Sequence, residues 1–313
     1  MKKKLISLAA VLMAATVLTA CSQSVSTSFS SNWYPNPATT NVLPNTNETL
    51  VYSVSMPADT RTNEDYYAEY TNGVYKTSLT DKGENYLYKT ELTINVQYFV
   101  GDEKTEVFTD TVVSEVEFKG TQHGLRPVRS YKKVESRSPA SLSPASIETC
   151  YKHYSYEATI SYNDACTKGT YTYDNLLKEG VETDGKKFSI TDKRSYLDNE
   201  QLLFGIRGIT SSSSQSLSVF NVSTKSVQTV SVSREKGKET SLNFALNGEA
   251  ASDKTVAYYP YTAKISSGNS GGTRTVWIAS EAKYRGVIFR IEDPVSFSLG
   301  TLVYTLREAN FSA

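Results

Sequence analysis

The residues that most resemble catalytic machinery form the string Gly268-Asn269-Ser270-Gly271-Gly272. This string matches G-x-S-x-G, in which a serine hydroxyl attacks an acyl carbon with the help of a neighbouring base. A hydrolase turn of this kind takes its histidine from later in the chain, but His123 and His153 both precede Ser270. A glycine-rich hairpin loop accounts for the same residues. We therefore expect no enzyme and keep a serine hydrolase at Ser270 as a remote alternative.

The same string resembles the Gly-Asp-Ser-Gly-Gly motif of chymotrypsin-like proteases, whose catalytic order is histidine, aspartate, serine. In that order His123 or His153, and an acid such as Asp164, could precede Ser270. However, Asn269 replaces the aspartate of the motif, and neither histidine lies in the Ala-Ala-His-Cys context of that family. The resemblance therefore stops at the serine loop.

Glu115 and Glu117 lie two residues apart and so share one face of a predicted strand. Paired carboxylates can share a proton and act as an acid–base couple. A charged face in contact with water has the same spacing, and we favour that interpretation. The sequence contains no phosphate loop and no metal-ligand cluster, so we expect no cofactor.

Two cysteines of the interior, Cys150 and Cys166, flank a strand-like run. Outside the cytosol they could form a disulfide that joins two strand ends. Two cysteines alone specify little, so the sequence does not decide whether this disulfide forms. His153 lies nearby, but a tetrahedral zinc site needs four ligands and no further histidine or cysteine is close in sequence.

The chain contains 22 tyrosines, against 11 phenylalanines and two tryptophans. A tyrosine has an apolar ring and a polar tip, so an exposed cluster could bind a glycan or a peptide. Cross-strand pairing on a partly exposed sheet would use the same residues, and we favour it. A surface binding module is therefore the main alternative function. Its candidate residues are Tyr66, Tyr67, Tyr70, Tyr75, Tyr86, Tyr88, Tyr258, Tyr259 and Tyr261.

Apolar and polar residues alternate along most of the chain from residue 50 onward, as they do in strands with one buried face. Residues 92–98 and 154–162 show the pattern most clearly, and Asn72-Gly73 and Asn247-Gly248 are typical turns between strands. We predict a mainly β fold, a single large antiparallel sheet that curls into a half-barrel or an open barrel.

Residues 198–208 depart from this alternation. Their apolar positions at 202, 203 and 206 fit a helix, Asp198 suits its N-cap, and Gly208 suits its end. We predict one short helix that packs across the sheet. Residues 136–146, rich in serine and proline, are predicted to form a loop between the two halves.

The chain begins with three lysines and an apolar run, followed by Leu18-Thr19-Ala20-Cys21. This order resembles a bacterial lipoprotein signal peptide, and the apolar run is too short to span a bilayer comfortably. The resemblance implies that acyl chains such as palmitate anchor Cys21 in a membrane outside the cytoplasm. Ser22, which is not an aspartate, implies the outer membrane in a cell with two membranes. In a cell with one membrane the protein would lie on its outer face.

These features divide the chain into a signal peptide over residues 1–20, a lipidated flexible tether over 21–48 and a β domain over 49–313. The tether is rich in Ser, Thr, Asn and Pro, which cannot bury enough apolar area to fold alone. Without residues 1–20 the balance is 30 basic against 33 acidic residues, because three of the 33 basic residues are removed and none of the acidic ones. There is no basic excess for nucleic acid.

Short segments in a fixed order are similar to a family of bacterial envelope proteins without an assigned activity. They include residues 50–55, 124–127, 197–207 and 300–306. The sheet of that family is similar to the LolA/LolB half-barrel, which implies a concave apolar face able to hold an acyl chain or another hydrophobe. The leading expectation is a non-catalytic cell-envelope lipoprotein that binds a hydrophobic ligand or an envelope partner protein.

Overall fold

The fold was analysed in a computed structural model of the chain. The model describes residues 47–120, 124–178, 183–191, 195–209, 213–222, 224–251, 255–265, 272–284 and 286–312. Cys21, His123 and Ser270, with the predicted signal peptide and most of the tether, lie outside the described residues.

The described residues form one 19-stranded sheet and a single α-helix, α1, over Leu202–Ile206. The strands are β1 (Asn47–Ser55), β2 (Tyr66–Asp81), β3 (Asn85–Val100), β4 (Glu103–Lys104), β5 (Phe108–Lys119), β6 (Pro127–Pro139), β7 (Tyr151–Tyr162), β8 (Lys168–Asn175), β9 (Thr183–Ser189), β10 (Tyr196–Asp198), β11 (Gln215–Asn221), β12 (Ser226–Arg234), β13 (Lys238–Thr240), β14 (Ala245–Leu246), β15 (Glu249–Ala250), β16 (Val256–Ile265), β17 (Thr273–Ala279), β18 (Ile288–Pro294) and β19 (Thr301–Ser312).

The sheet is a long antiparallel meander with the first strand in its middle. β1 pairs with β2 on one side and with β19, the last strand, on the other. From β2 the sheet continues through β3, β5, β6, β7 and β8 to β9. From β19 it continues through β18, β17, β16, β12 and β11 to β10, which is parallel to β11. The predicted fold, a single large and mostly antiparallel sheet with one short helix, is confirmed.

Alternation of buried and exposed positions follows the alternation of residue types. In β1 every second residue is buried from Glu48 to Val54, and β3 repeats the pattern through most of its length. The buried positions carry Leu, Val, Ile, Tyr and Phe, which favour a pleated surface packed on one side. The inward faces of both halves of the sheet contribute to one large hydrophobic cluster.

A short helical segment fills the inside of the curl. A 3₁₀ turn over Asn199–Gln201 leads directly into α1. The Phe204 ring lies 5.4 Å from the Tyr88 ring and 5.3 Å from the Phe118 ring, measured between centroids, and Phe204 is fully buried. We call residues 198–206 the plug, because they pack between the two halves of the sheet. The predicted short helix is thus confirmed.

The two ends of the sheet meet through side chains. Phe188 of β9 stacks on Phe220 of β11, with ring centroids 3.9 Å apart and planes 6° apart. In the described part of the chain, no strand pairing joins β9 to β10 or β11. We call this contact the seam; it lies in a second, smaller hydrophobic cluster that includes Tyr171 and Tyr196.

Two predicted boundaries differ from the structure. β1 begins at Asn47, so Asn47 and Glu48, predicted as the end of the tether, belong to the sheet. β6 runs through Pro139, so the first residues of the predicted 136–146 loop are strand. Proline there fits the final position of a strand, where it interrupts no further pairing. Within the described residues, no helix has the length and apolar character needed to cross a bilayer.

Candidate functional site

Two cavities lie between the halves of the curled sheet. The larger, which we call the outer cleft, has a volume of about 450 Å³, within the range of small-molecule sites. Its lining residues are Val134, Ser136, Ser138, Pro139, Ala140, Lys152, Tyr154, Tyr156, Ser296 and Phe297. The smaller, the inner cavity, has a volume of about 170 Å³ and lies against the plug.

One wall of the outer cleft is the inward face of β6 and β7. Val134 is directly opposite Tyr156 across the two strands, and the next inward pair is Ser136 with Tyr154. Such directly opposed side chains lie in contact, so they form a continuous surface. Toward the inside the wall is apolar and buried; toward the rim Tyr154 is 41% exposed. Lys152, also exposed, follows Tyr154 at the rim.

The opposite wall comes from the connection between β18 and β19. Phe297 has a φ angle of +58° and Ser298 one of +57°. A bulky residue rarely adopts this left-handed backbone, and such conformations concentrate at functional positions. The Thr62 hydroxyl donates a hydrogen bond to the Ser298 carbonyl oxygen, which ties the connection to the segment after β1. Phe297 is thereby held at the cleft with 41% of its surface exposed.

The inner cavity is lined by inward residues of β2, β3, β5 and β6 on one side and of β17, β18 and β19 on the other, with the plug below. These residues are Tyr75, Thr90, Leu92, Val112, Lys132, Asn199, Glu200, Leu203, Arg274, Ile291, Asp293 and Tyr304. The two cavities adjoin along β6, because Lys132 and Val134 are successive inward residues of that strand. Val112 of the inner cavity is also paired with Val134.

Four of the residues that line the inner cavity are charged, in two ion pairs. Lys132 Nζ lies 2.9 Å from Glu200 Oε1, and Arg274 Nη2 lies 2.6 Å from Asp293 Oδ2. Burial disfavours the charge on Lys132, but the Glu200 carboxylate outweighs it and raises the lysine pKa. The Asp293 carboxylate likewise raises the pKa of Arg274. Lys132 and Arg274 are therefore both charged at neutral pH.

The predicted tyrosine surface is not formed. Seven of the nine candidates are at most 9% exposed, and only Tyr67 and Tyr259 are partly exposed. Tyr66 donates to the Cys150 carbonyl oxygen at 2.6 Å, and Tyr70 and Tyr98 are linked through their hydroxyls at 3.4 Å. The rings are therefore part of the core, where apolar faces pack and hydroxyls find internal partners. A glycan- or peptide-binding module built on these tyrosines is excluded.

The structure holds Cys150 and Cys166 as thiols rather than as the disulfide considered from the sequence. Both are buried, but Cys150 belongs to the large cluster and Cys166 to the seam cluster. The two cysteines lie in different clusters because the extended strand β7 separates them in the chain and connects the two clusters. Burial raises the pKa of the Cys150 thiol to about 11.

The remaining sequence candidates face water. Glu115 is paired with Lys89 and Glu117 with Arg129, both from neighbouring strands, so each carboxylate has a cation of its own as partner. His153 Nε2 lies 2.5 Å from Glu135 Oε1 on the exposed side of β7. Its partner is thus Glu135, not Asp164 as the histidine–aspartate–serine order would require. Among the described residues, no cluster of three or more potential metal ligands occurs.

Alternation alone did not reveal the polar residues of the inner cavity. Lys132 and Arg274 occupy inward positions that the period-two pattern assigns to apolar side chains. A charged residue in phase with the buried face was the available signal, since buried charges are rare unless paired or functional. Their partners come from the plug and a neighbouring strand, which periodicity cannot locate.

Comparisons with known proteins support the fold. No protein-family profile matches the chain, and no curated protein matches it. Among solved structures, the chain is similar to a β-barrel-like protein of the domain-of-unknown-function family DUF1849 from Brucella abortus. The TM-score is 0.51 at 7% sequence identity, covering 86% of this chain and 99% of that chain. The similarity extends over nearly the whole of both proteins and concerns the fold: a curled, barrel-like sheet.

Proposed function

We propose that this protein is a non-catalytic lipoprotein of the bacterial cell envelope that binds a hydrophobic ligand in the outer cleft. The observation that carries the proposal is the cleft itself, about 450 Å³ in volume, with Phe297 held against it in a left-handed backbone conformation. Binding pockets combine apolar walls with a few polar groups. Val134, Tyr156 and Phe297 supply the first, and Lys152 supplies the second.

The plug limits what the sheet can hold. A half-barrel with an empty interior could enclose a whole acyl chain, but here Phe204 and its neighbours fill the centre. The ligand is therefore bound beside the plug, between β6–β7 and the β18–β19 connection, rather than along the full concave face. This favours one chain or ring system of moderate size.

The N-terminal features support a location at a membrane. The Leu18-Thr19-Ala20-Cys21 sequence and the tether that follows it would hold the domain near the bilayer, where hydrophobic ligands are concentrated. Cys21→Ala should abolish incorporation of a labelled palmitate analogue and release the protein from the membrane fraction. Unchanged labelling or unchanged membrane association would contradict the anchor.

Ligand binding can be measured by displacement of the fluorescent hydrophobe N-phenyl-1-naphthylamine. We expect saturable binding, and a roughly tenfold loss of affinity in Tyr154→Ala and Phe297→Ala, since each removes apolar contact area worth about 1–2 kcal/mol. Val227→Ala is the matched control, because Val227 is similarly exposed at 43% and lines neither cavity. Absence of saturable binding, or equal affinity in all variants, would show that the cleft is not the site.

A further inference from the structure

The inner cavity contains a buried hydrogen-bond donor without an acceptor. Arg274 donates through Nη2 to Asp293, whereas its Nε is buried without a partner. Lys132 donates to Glu200, whose Oε1 also accepts from Asn199. A buried donor without a partner is unfavourable, so an acceptor in this cavity would be stabilised.

Two cations face the same space from opposite walls. Lys132 belongs to β6 and Arg274 to β17, yet they are close enough for the Arg274 charge to act on the Lys132 ammonium. Each cation has one carboxylate partner, Glu200 of the plug for Lys132 and Asp293 of β18 for Arg274. An anion between the cations would relieve their mutual repulsion.

The surroundings of the two cations suit an oxyanion. Tyr75 and Tyr304, whose rings meet edge to face at 5.3 Å, line the same cavity and carry hydroxyl groups. Burial keeps both hydroxyls protonated by raising their pKa values. Arginine binds carboxylate and phosphate through two parallel N–H groups, and Arg274 has such groups beyond the one used on Asp293.

We propose that the inner cavity binds an oxyanion, a carboxylate or a phosphate, between Arg274 and Lys132. The identity of the whole ligand rests on the proposed function. The ligand is then an amphiphile, with the oxyanion as its head group in the inner cavity and its apolar part in the adjoining outer cleft. A volume of about 170 Å³ is sufficient for a head group and too small for a long chain.

Two matched amphiphiles test the head-group site. Dodecanoate and dodecanol share a chain and differ in charge, and their affinities can be compared by displacement of N-phenyl-1-naphthylamine. We expect wild-type protein to bind dodecanoate at least tenfold more tightly than dodecanol. Arg274→Gln should abolish this preference by weakening the binding of dodecanoate. Equal affinities of wild-type protein for the two compounds would overturn the oxyanion site while leaving the proposed function intact.

Arg290→Gln is the control for loss of an arginine. Arg290 lies on β18, pairs with Glu292 at 2.8 Å and is as exposed as Arg274, but it does not line the inner cavity. It should keep the wild-type preference for dodecanoate; if it also loses that preference, the effect of Arg274→Gln is not specific to the cavity. If near-ultraviolet circular dichroism shows that Arg274→Gln does not fold, the affinities for dodecanoate and dodecanol are compared in Lys132→Gln instead.

Binding of inorganic phosphate and acetate, followed by changes in chemical shift, distinguishes a site for a free anion from a site for a lipid head group. If these anions change the chemical shifts of the wild-type protein but not of Arg274→Gln, and neither amphiphile binds, the oxyanion site is supported and the hydrophobic-ligand function is contradicted. If neither the amphiphiles nor the small anions bind, both proposals fall.

Discussion

Asp110 is a carboxylate on the inward face of β5, only 6% exposed. Its oxygens accept hydrogen bonds from the Arg137 backbone N–H at 3.0 Å and from the Ser136 hydroxyl at 3.1 Å. Burial outweighs these bonds and raises the pKa of Asp110 from 3.8 to about 6. Because Ser136 lines the outer cleft, Asp110 also orients part of that wall.

The raised pKa of Asp110 predicts a pH-dependent stability. The folded protein holds this proton more tightly than the unfolded chain, so the free energy of unfolding should fall as pH rises from about 4 to about 6. Asp110→Asn keeps one acceptor oxygen and removes the charge. It should flatten this part of the profile and be more stable than wild type at pH 7 by up to about 3 kcal/mol. Urea unfolding at several pH values measures both effects.

The control for Asp110→Asn is Asp59→Asn, at an exposed residue of a 3₁₀ turn. This variant should follow the wild-type profile between pH 4 and pH 7. Parallel profiles for wild type and Asp110→Asn would contradict the assignment.

The buried ion pair of Arg207 and Glu48 shows what residue types do not reveal. Arg207 donates to both Glu48 oxygens, at 2.7 and 2.8 Å, and through Nε to the Gly286 carbonyl oxygen. The partners are 159 residues apart, and Glu48 had been assigned to a flexible tether. A pairing this distant leaves no local pattern in the sequence, because it forms only when the residue that follows the plug meets β1 in the folded state.

At the scale of elements, the Asp198 carboxylate is one attachment of the plug to the sheet. Its Oδ1 accepts from the Glu200 backbone N–H at 2.9 Å, which makes it an N-cap. Its Oδ2 accepts from the Ser130 and Tyr162 hydroxyls, each at 2.6 Å. These partners belong to β6 and β7, so one carboxylate connects the plug to the strands that form the outer cleft.

Asp198→Ala should therefore destabilise the protein by about 2–4 kcal/mol, because it removes an N-cap and leaves the buried Ser130 hydroxyl without this acceptor, whereas the Tyr162 hydroxyl keeps its bond to Tyr196. Asp198→Asn retains one acceptor oxygen and should lose less than half as much. Chemical denaturation monitored by tryptophan fluorescence measures the difference. If the alanine and asparagine variants are equally stable, Asp198 does not attach the plug in this way.

The elements themselves were largely predictable from the sequence. Alternation located strands such as β3 and β7, and Asp198 with Gly208 bracketed the helix, because these signals depend on neighbouring residues. The candidate site was not predictable. It combines β6 and β7 with the β18–β19 connection, and its backbone feature, the positive φ of Phe297, arises where no glycine or asparagine signals it.

At the scale of the whole molecule, the seam joins the two ends of the sheet through side chains, since no strand pairing links β9 to β10 or β11 within the described residues. The Phe188 ring packs on Phe220 and also covers Gly169, where a Cβ atom would lie 2.2 Å from the ring. Ring stacking and apolar contact hold the two ends together, and such contacts are weaker than a continuous ladder. Separating the two ends of the sheet at the seam should therefore require less free energy than opening the hydrogen-bonded middle of the sheet.

Phe188→Ala tests the seam. We expect a loss of about 1–2 kcal/mol in the free energy of unfolding, since the half-exposed ring gives less than a fully buried phenylalanine. Hydrogen exchange should accelerate in β9, β10 and β11 and stay unchanged in β1 and β2. Phe99→Ala is the control, because Phe99 stacks on Tyr67 at 4.6 Å within the hydrogen-bonded pair β2–β3. Faster exchange throughout the sheet would argue against a local seam.

The central place of β1 has a consequence for the order of events during synthesis. Asn47 pairs with Ser312, so β1 needs the twelve residues of β19, Thr301–Ser312, as its partner on one side. Until those residues are made, β1 has an unpaired edge of the kind that promotes association between chains. The large cluster, to which both strands contribute, cannot be completed before β19 is made. The sheet is thus completed only once β19 has been made, and termination anywhere before β19 leaves the middle of the sheet open.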